Sequence, residues 1–111
     1  MESGKSKNFF ELDIRVGKII KVEIFEEAIK PAYKLIIDFG VFGTKISSAQ
    51  ITKNYSPENL IGLQITAVVN FPVKHIAGFK SEVLVLGACS KIKDVVLLTP
   101  LESVEDGSLV S

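Results

Sequence analysis

The segment IRVGKIIKVEIF, residues 14–25, decides the fold prediction for this chain of 111 residues. It is rich in β-branched residues, and in its second half apolar residues alternate with Lys21 and Glu23. This alternation is typical of a strand with one buried face. Gly17 lies inside the run and predicts a bulge or a sharp bend, by which a long strand curls into a barrel.

The rest of the chain supplies further strands and one short helix. Ser56 is a good N-cap and Pro57 suits the first helical position, so a helix of about one turn is expected to begin there. Gly40 and Gly43 predict a turn between two strands. The further strand candidates are YKLIIDFG (33–40), VFGTKISS (41–48), QITAVVNF (64–71), SEVLVLGA (81–88) and DVVLLTP (94–100).

This order of elements favours one fold. About five core strands, with a short helix between the third and the fourth, are the pattern of the OB-fold. We therefore predict an all-β, five-stranded OB-fold Greek-key barrel with that short helix and with terminal extensions. An SH3-like barrel is the main competing fold, but it would not place its helix at this point.

The whole chain, residues 1–111, is predicted to be a single domain. Residues 1–8 are expected to be flexible and residues 95–111 to form a C-terminal arm. The mean hydropathy of +0.34 is high for so small a domain, so a homodimer is expected to cover apolar surface. The alternative is a terminal strand that packs on its own barrel. The predicted dimer contacts are Phe9, Phe10, Val96, Leu98, Leu101 and Val104.

Charge is distributed unevenly along the chain although the formal net charge is zero. Residues 30–80 contain six lysines but only two acidic residues, Asp38 and Glu58, while both ends of the chain are acidic. A basic middle segment can present a positive face on a neutral molecule and so attract nucleic acid. The alternative is that these lysines are scattered over a solvated surface.

The composition argues against catalytic, metal-binding and membrane-spanning classes. Cys89 is the single cysteine and is expected to be buried and inert, and His75 is the single histidine. No thiolate cluster or histidine pair is therefore available for a metal, and we predict no enzyme activity and no cofactor. Asp13 and Arg15 are expected to form a structural pair. No apolar run approaches the ~20 residues of a membrane span, and we predict a cytoplasmic protein.

Polar and basic side chains cluster at the end of the third predicted strand. Ser48, Gln50, Lys53 and Tyr55 follow closely in KISSAQITKNY, residues 45–55. OB barrels bind ligands across the second and third strands and the loops around them. Hydroxyls and amides bond ribose and phosphate, lysines neutralise phosphate, and an aromatic ring stacks on an unpaired base. The alternative is that Ser48 and Gln50 satisfy backbone groups at the strand end.

The chain resembles the tRNA-binding domain family, an OB-fold module found free-standing and appended to tRNA synthetases. It looks most similar to the CsaA-type branch, described as export-related chaperones and tRNA-binding homodimers. The resemblance covers residues 10–110. The motifs that carry it are DIRVGKI (13–19), KPAYKLIIDFG (30–40), KISSAQIT (45–52), ENLIGLQITAVVNFP (58–72) and IAGFKSEVLVLG (76–87).

The resemblance implies roles for particular residues. Ser48, Asn70, Gly78 and Ser81 match the family's polar cluster, which lies on the face thought to meet tRNA. Asn70 could equally be an amide that holds the end of a strand. The sequence departs from the family where Phe71 replaces a leucine and where Val83-Leu84 stands for the frequent Gly-Met.

The sequence therefore predicts a non-catalytic homodimer that binds tRNA or another structured RNA through a basic and polar face. The alternative function is a chaperone that binds unfolded peptides or preproteins. The predicted RNA-binding residues are Lys34, Lys45, Ser48, Gln50, Lys53, Tyr55, Asn70, Lys74, His75, Gly78, Lys80 and Ser81.

Overall fold

The computed structural model describes residues 11–111, whose regular secondary structure is mostly β-strand. The predicted flexibility of residues 1–8 and the predicted dimer contacts of Phe9 and Phe10 lie outside the described residues. A single turn of 3-10 helix, Gly40–Phe42, follows the second strand. The elements are β1 (Ile14–Ile24), β2 (Tyr33–Asp38), β3 (Thr44–Ala49), α1 (Pro57–Leu60), β4 (Gln64–Val68), β5 (Lys74–Ile76), β6 (Phe79–Ser81), β7 (Leu84–Val85), β8 (Gly87–Ser90) and β9 (Asp94–Leu97).

Five strands form one antiparallel sheet in the order β3-β2-β1-β4-β7, which curls into a nearly closed barrel. The pairs β5-β6 and β8-β9 form two smaller ribbons. The all-β OB-like barrel is confirmed, as is the helix between β3 and β4, where the Ser56 hydroxyl accepts a hydrogen bond from the Asn59 amide.

The predicted strand over residues 81–88 is wrong in detail. This segment exchanges neighbours as it crosses the barrel, so it is divided among β6, β7 and β8. The Glu82 amide bonds the Ile46 carbonyl on one side of the barrel, and the Leu86 amide bonds the Thr66 carbonyl on the other. The apolar run therefore does not correspond to one continuous strand with one buried face: Val83 is buried, whereas Leu84 is 48% exposed.

The bulge in β1 lies further along the strand than predicted. The register between β1 and β2 shifts between Ile19 and Lys21, and not at Gly17. Gly17 serves the core instead, since a Cβ atom there would lie 2.6 Å from Ile37 Cγ2 and 2.7 Å from a ring carbon of Phe39. Because β1 pairs with β4 up to Lys18 and with β2 from Lys18 onward, it bridges the two halves of the sheet.

Alternation along β2 separates the barrel interior from an outward face. Tyr33, Leu35 and Ile37 are buried in the core, whereas Lys34 lies between them on the outside. Lys34 is aligned with Ser48 of β3 in the strand register. This alignment brings a lysine and the end of β3 together on the outer surface of the barrel.

The C-terminal segment returns to the barrel of its own chain. The Val16 amide donates to the Ser108 carbonyl at 2.9 Å, and the Val110 amide donates to the Ile14 carbonyl at 2.8 Å. Further back, the Gln64 side chain bonds both the carbonyl and the amide of Val104. Residues 107–110 therefore pack on the barrel of their own chain, which was the alternative to a dimer contact. They cover the edge of β1 that β2 does not reach.

The prediction that Cys89 is buried is wrong, because its side chain is exposed on β8. β8 pairs with β9 in a separate two-stranded ribbon in which both Ala88 and Cys89 are exposed, so the apolar run of residues 83–89 extends beyond the buried part of the barrel. No helix within residues 11–111 has the length and apolar character needed to cross a membrane.

Candidate nucleic-acid interface

A cleft formed by two adjoining grooves lies where β3 ends. Ser48, Gln50 and Ile76 line both grooves, and we call this the Ser48 cleft. The first groove has a volume of about 500 Å³ and is otherwise lined by residues 71–74 and 81–84. The second has a volume of about 450 Å³ and includes Lys30 and the loop between β1 and β2. The walls of the two grooves combine hydroxyl, amide and apolar side chains with two ammonium groups, of Lys30 and Lys74, and two carboxylates, of Glu27 and Glu82.

The floor of the cleft is fixed by side-chain hydrogen bonds that join β3 to residues 81–83. The Ser48 amide donates to Ser81 Oγ at 3.0 Å, and the buried Ser47 hydroxyl donates to the Val83 carbonyl at 2.8 Å. Glu82 Oε1 accepts from the Ile46 amide at 2.9 Å. Ser81 is itself only 8% exposed. The Ser81 hydroxyl therefore closes the barrel, and the nearby Ser48 and Gln50 side chains line the cleft.

The β5-β6 hairpin lies beside this cleft and carries five of the predicted residues: Lys74, His75, Gly78, Lys80 and Ser81. Ala77 and Gly78 form its turn with φ values of 49° and 81°, the left-handed conformations that a two-residue hairpin turn requires. His75 pairs with Lys80, and both are exposed. Directly paired residues share one face of a two-stranded ribbon, so Lys80 and His75 lie on the outer face, while Lys74 borders the first groove.

Lys34 connects this hairpin to the loop after β1. Its ammonium nitrogen lies 4.8 Å from the ring centroid of Phe25 and 5.3 Å from that of Phe79, and the two rings pack edge to face. The carboxylate of Glu27 lies 3.7 Å away. With its side chain only 28% exposed, Lys34 acts mainly as a cation that holds two aromatic rings together.

Replacing Lys34 by glutamine is expected to lower the free energy of unfolding by about 1 kcal/mol, because two cation–π contacts are lost. Chemical denaturation, followed by fluorescence or circular dichroism, measures this loss of stability. Lys30→Gln, an identical change at an exposed lysine of the neighbouring loop, is the control. Lys34→Arg should retain most of the stability, since a guanidinium also packs on aromatic rings. Equal stabilities for Lys34→Gln and Lys30→Gln would contradict the prediction.

Glu23 adds a fixed negative charge to the outward face, next to Lys34 in the strand register. The ammonium of Lys21 lies 3.0 Å from its carboxylate. A hydrogen bond from Lys21 and the positive charge of that lysine lower the pKa of Glu23, and the charge of Lys34 lowers it further. Glu23 therefore stays ionised at neutral pH, and the lysines of the β5-β6 hairpin, Lys74 and Lys80, are the nearby source of positive charge.

Lys45 lies apart from the Ser48 cleft. It lines a cavity of about 210 Å³ at one end of the barrel, together with Arg15 and Phe42. Arg15 packs its guanidinium 4.5 Å from the centre of the Phe42 ring. Its Nε atom donates to Asp13 at 2.8 Å, so the expected structural pair between Asp13 and Arg15 is present.

Tyr55 and Asn70, two further predicted RNA contacts, hold parts of the fold together. The Tyr55 hydroxyl accepts from the Leu97 amide at 3.0 Å, and its ring packs against the core. Asn70 Oδ1 accepts from the Asp13 amide at 3.0 Å, and its Nδ2 atom donates to the Glu11 carbonyl at 2.9 Å. In this structure both polar groups are engaged within the chain.

Lys53, another predicted RNA contact, does not line the Ser48 cleft. Its ammonium pairs with Asp94 at 3.2 Å, and it lines a separate depression with Lys91 and Lys93.

Two groups of lining residues were not predicted from the sequence. Lys91 and Lys93 were missed because residues 81–111 are acidic as a whole. Also missed was the apolar wall of Phe71, Pro72, Val73, Val83 and Leu84. The fold brings Lys53 together with Lys91 and Lys93, and it brings residues 71–73 together with Val83 and Leu84. The Lys91-Ile92-Lys93 run was the one local sequence signal for these groups.

Within residues 11–111, no three or more His, Cys, Asp or Glu side chains are grouped so that they could hold a metal ion. The polar groups of the Ser48 cleft are suited to hydrogen bonding and to neutralising anions.

Comparison with solved structures supports the fold and the branch of the resemblance. The chaperone CsaA from Bacillus anthracis str. Ames superposes with a TM-score of 0.89 at 55% sequence identity, covering 96% of this chain and 99% of that one. The CsaA chaperone protein from Picrophilus torridus has a TM-score of 0.88 at 57% identity, covering 93% and 94% of the two chains.

The chain is similar in sequence to one region of larger enzymes. The methionine–tRNA ligases of Porphyromonas gingivalis and Archaeoglobus fulgidus are 35% and 36% identical to it over 104 residues, which are 94% of this chain. The chain spans only 15% of the length of these ligases. The family model described as a putative tRNA binding domain matches residues 14–109. The chain therefore belongs to the putative tRNA binding domain family.

Proposed function

We propose that this protein binds RNA, and tRNA in particular, without catalysing a reaction. The observation that carries the proposal is the placement of Lys74, His75 and Lys80 on a hairpin beside the Ser48 cleft. The ammonium groups of Lys74 at the groove and Lys80 on the outer face of the same hairpin can contact a phosphate backbone that passes over the hairpin. Membership of the putative tRNA binding domain family supports the same ligand. The proposal puts this role in the cytoplasm.

Recognition is proposed to rest on the RNA backbone and on shape. The cations around the cleft are lysines, which contact phosphate as point charges and lack the planar fork with which arginine reads base edges. Gln50 and Ser48 supply hydrogen bonds for ribose or phosphate. The apolar side chains of Phe71 and Val73 in the first groove provide a surface for an unstacked base.

A fluorescence titration of bulk tRNA with the purified protein at several salt concentrations tests the proposal. We expect saturable binding at low salt, with the logarithm of the association constant falling linearly with the logarithm of salt concentration. A DNA duplex of similar length and charge serves as the control for binding that depends on charge alone. No binding of tRNA at low salt would refute the proposal.

We further propose that the protein acts as a homodimer through apolar side chains near the start of the C-terminal arm. Leu98 and Leu101 are 45% and 99% exposed, and Val96 and Val104 are 36% and 40% exposed. Burial of such residues against a second copy would remove apolar surface from water. Sedimentation of Leu98→Glu/Leu101→Glu should show a monomer where the unaltered chain sediments as a dimer; sedimentation of the unaltered chain as a monomer would refute this part.

A second candidate function is binding of extended peptides, which the apolar wall of the first groove favours. Phe71, Pro72, Val73, Val83 and Leu84 contribute to this wall, and two similar structures are of CsaA chaperones. Apolar peptide binding should change little with salt, whereas RNA binding should weaken steeply. Competition between a labelled peptide and tRNA, measured at two salt concentrations, separates the two functions and shows whether they share the cleft.

A further inference from the structure

A second cationic surface lies at the tip of the β8-β9 ribbon. Lys91, Ile92 and Lys93 form this tip, and we call them with Lys53 the β8-β9 tip. Within the tip, the turn of Lys91, Ile92 and Lys93 lines one depression of about 470 Å³ together with Lys53 and the neighbouring Asn54. Lys53 is about 40 residues away from Lys91 and Lys93 in the sequence. A hydrogen bond from Asn54 to the backbone of Val95, 41 positions away, holds the two segments together. Their proximity is therefore a product of the fold.

Hydrogen bonds fix the conformation of the tip. Ser90 Oγ accepts from the Ile92 amide at 3.2 Å and from the Lys93 amide at 2.9 Å. Asn54 Nδ2 donates to the carbonyl of Lys93 and, at 2.6 Å, to that of Val95. The turn is thus tied both to itself and to the loop that carries Lys53, so its side chains project from a defined backbone.

The tip combines positive charge with an exposed apolar residue. Within residues 11–111, Asp94 is the carboxylate within ion-pair distance of these lysines, and it pairs with Lys53. Lys91 and Lys93 are exposed, and Ile92 between them is 93% exposed. Three ammonium groups against one carboxylate leave a local excess of positive charge around a projecting apolar side chain.

We propose that the β8-β9 tip is a second RNA-contact element, which rests on the proposed function and adds a site to it. Lys91 and Lys93 would neutralise backbone phosphates, and Ile92 would pack against the sugars of an RNA minor groove. That groove is wide and shallow, so a short projecting side chain reaches its floor. Proteins that bind the DNA minor groove likewise combine basic side chains with apolar ones that enter the groove.

RNA is favoured over an anionic membrane by the small size of the patch. Recognition of anionic lipid needs clusters of about four to eight basic residues or a long amphipathic helix. The tip offers three lysines, and Asp94 offsets one of them. A structured RNA, in contrast, places phosphates a few ångströms apart, and a whole tRNA is large enough to contact the tip and the Ser48 cleft together.

The test compares Lys91→Ala/Lys93→Ala and Ile92→Ala with the unaltered chain, using whole tRNA and a single-stranded oligonucleotide of about eight nucleotides. For tRNA, the slope of log association constant against log salt should fall in magnitude by about 2 in the double lysine variant. Ile92→Ala should weaken tRNA binding without changing the slope. The oligonucleotide, which has no double-stranded minor groove, should bind Ile92→Ala as tightly as it binds the unaltered chain. Lys18→Ala removes an exposed lysine that lines a different cavity and is the control.

The outcomes separate this inference from the proposed function. If the unaltered chain fails to bind tRNA, the proposed function itself is refuted. If it binds tRNA and the Lys91→Ala/Lys93→Ala variant keeps the full salt slope, the inference alone is overturned. The tip would instead be assigned to membranes if the unaltered chain sedimented with phosphatidylserine vesicles, the Lys91→Ala/Lys93→Ala variant did not, and the tRNA salt slope of the variant was unchanged. Circular dichroism confirms that the variants, which alter an exposed turn, remain folded.

Discussion

Replacing Gly17 by alanine is expected to destabilise the protein by about 3 kcal/mol, the upper part of the range for an overpacked core. The added Cβ would lie 2.6 Å from Ile37 Cγ2 and 2.7–2.8 Å from two ring carbons of Phe39. Both side chains are almost completely buried, with exposures of 0% and 1%. Because close-packed neighbours surround them, neither can move aside without disturbing the contacts between β1 and β2.

Denaturant unfolding of Gly17→Ala measures this loss, and Gly78→Ala is the matched control. Gly78 has a φ of 81° but no atom within 4 Å of the position of an added Cβ. Its replacement should therefore incur only the conformational cost of a left-handed residue, about 1 kcal/mol. If Gly17→Ala proved no less stable than Gly78→Ala, Gly17 would not be required by the packing of Ile37 and Phe39.

Replacing Lys74 and Lys80 together by alanine is expected to weaken tRNA binding by roughly tenfold at moderate salt, and to reduce the salt slope by about 2. Lys74 borders the first groove of the Ser48 cleft, and Lys80 lies on the outer face of the same hairpin. Titration of labelled tRNA at a series of salt concentrations measures both quantities. Each single variant also shows which face of the hairpin meets the RNA.

Lys18→Ala is the control for the loss of charge. Lys18 lies in β1 and lines the cavity next to the C-terminal segment, so its replacement should leave the slope unchanged. Unfolding measurements on the variants show whether the hairpin stays intact, since neither replaced side chain is buried. A double variant that binds tRNA with the affinity and slope of the unaltered chain would place the RNA elsewhere than on the hairpin and cleft.

The residues predicted to bind RNA illustrate the limits of reading a site from sequence. Ser48, Gln50 and Lys74 do come together around one cleft. Lys34 is enclosed by two aromatic rings, and Tyr55 is bonded to Leu97. Residue type predicted the chemistry that each side chain can perform, but not whether the fold already uses it. Hydrogen bonds over separations such as the 42 residues between Tyr55 and Leu97 have no local signature.

The sequence by itself determined the barrel, the helix after Ser56 and the family. Side-chain alternation, helix capping and turn glycines are local properties, so they can be read from neighbouring residues. The tertiary structure alone decided the position of the β1 bulge, the exposure of Cys89 and the grouping of Lys53 with Lys91 and Lys93. These features depend on which distant segments pair, and a change of partner moves a residue between the core and the surface without altering its local pattern.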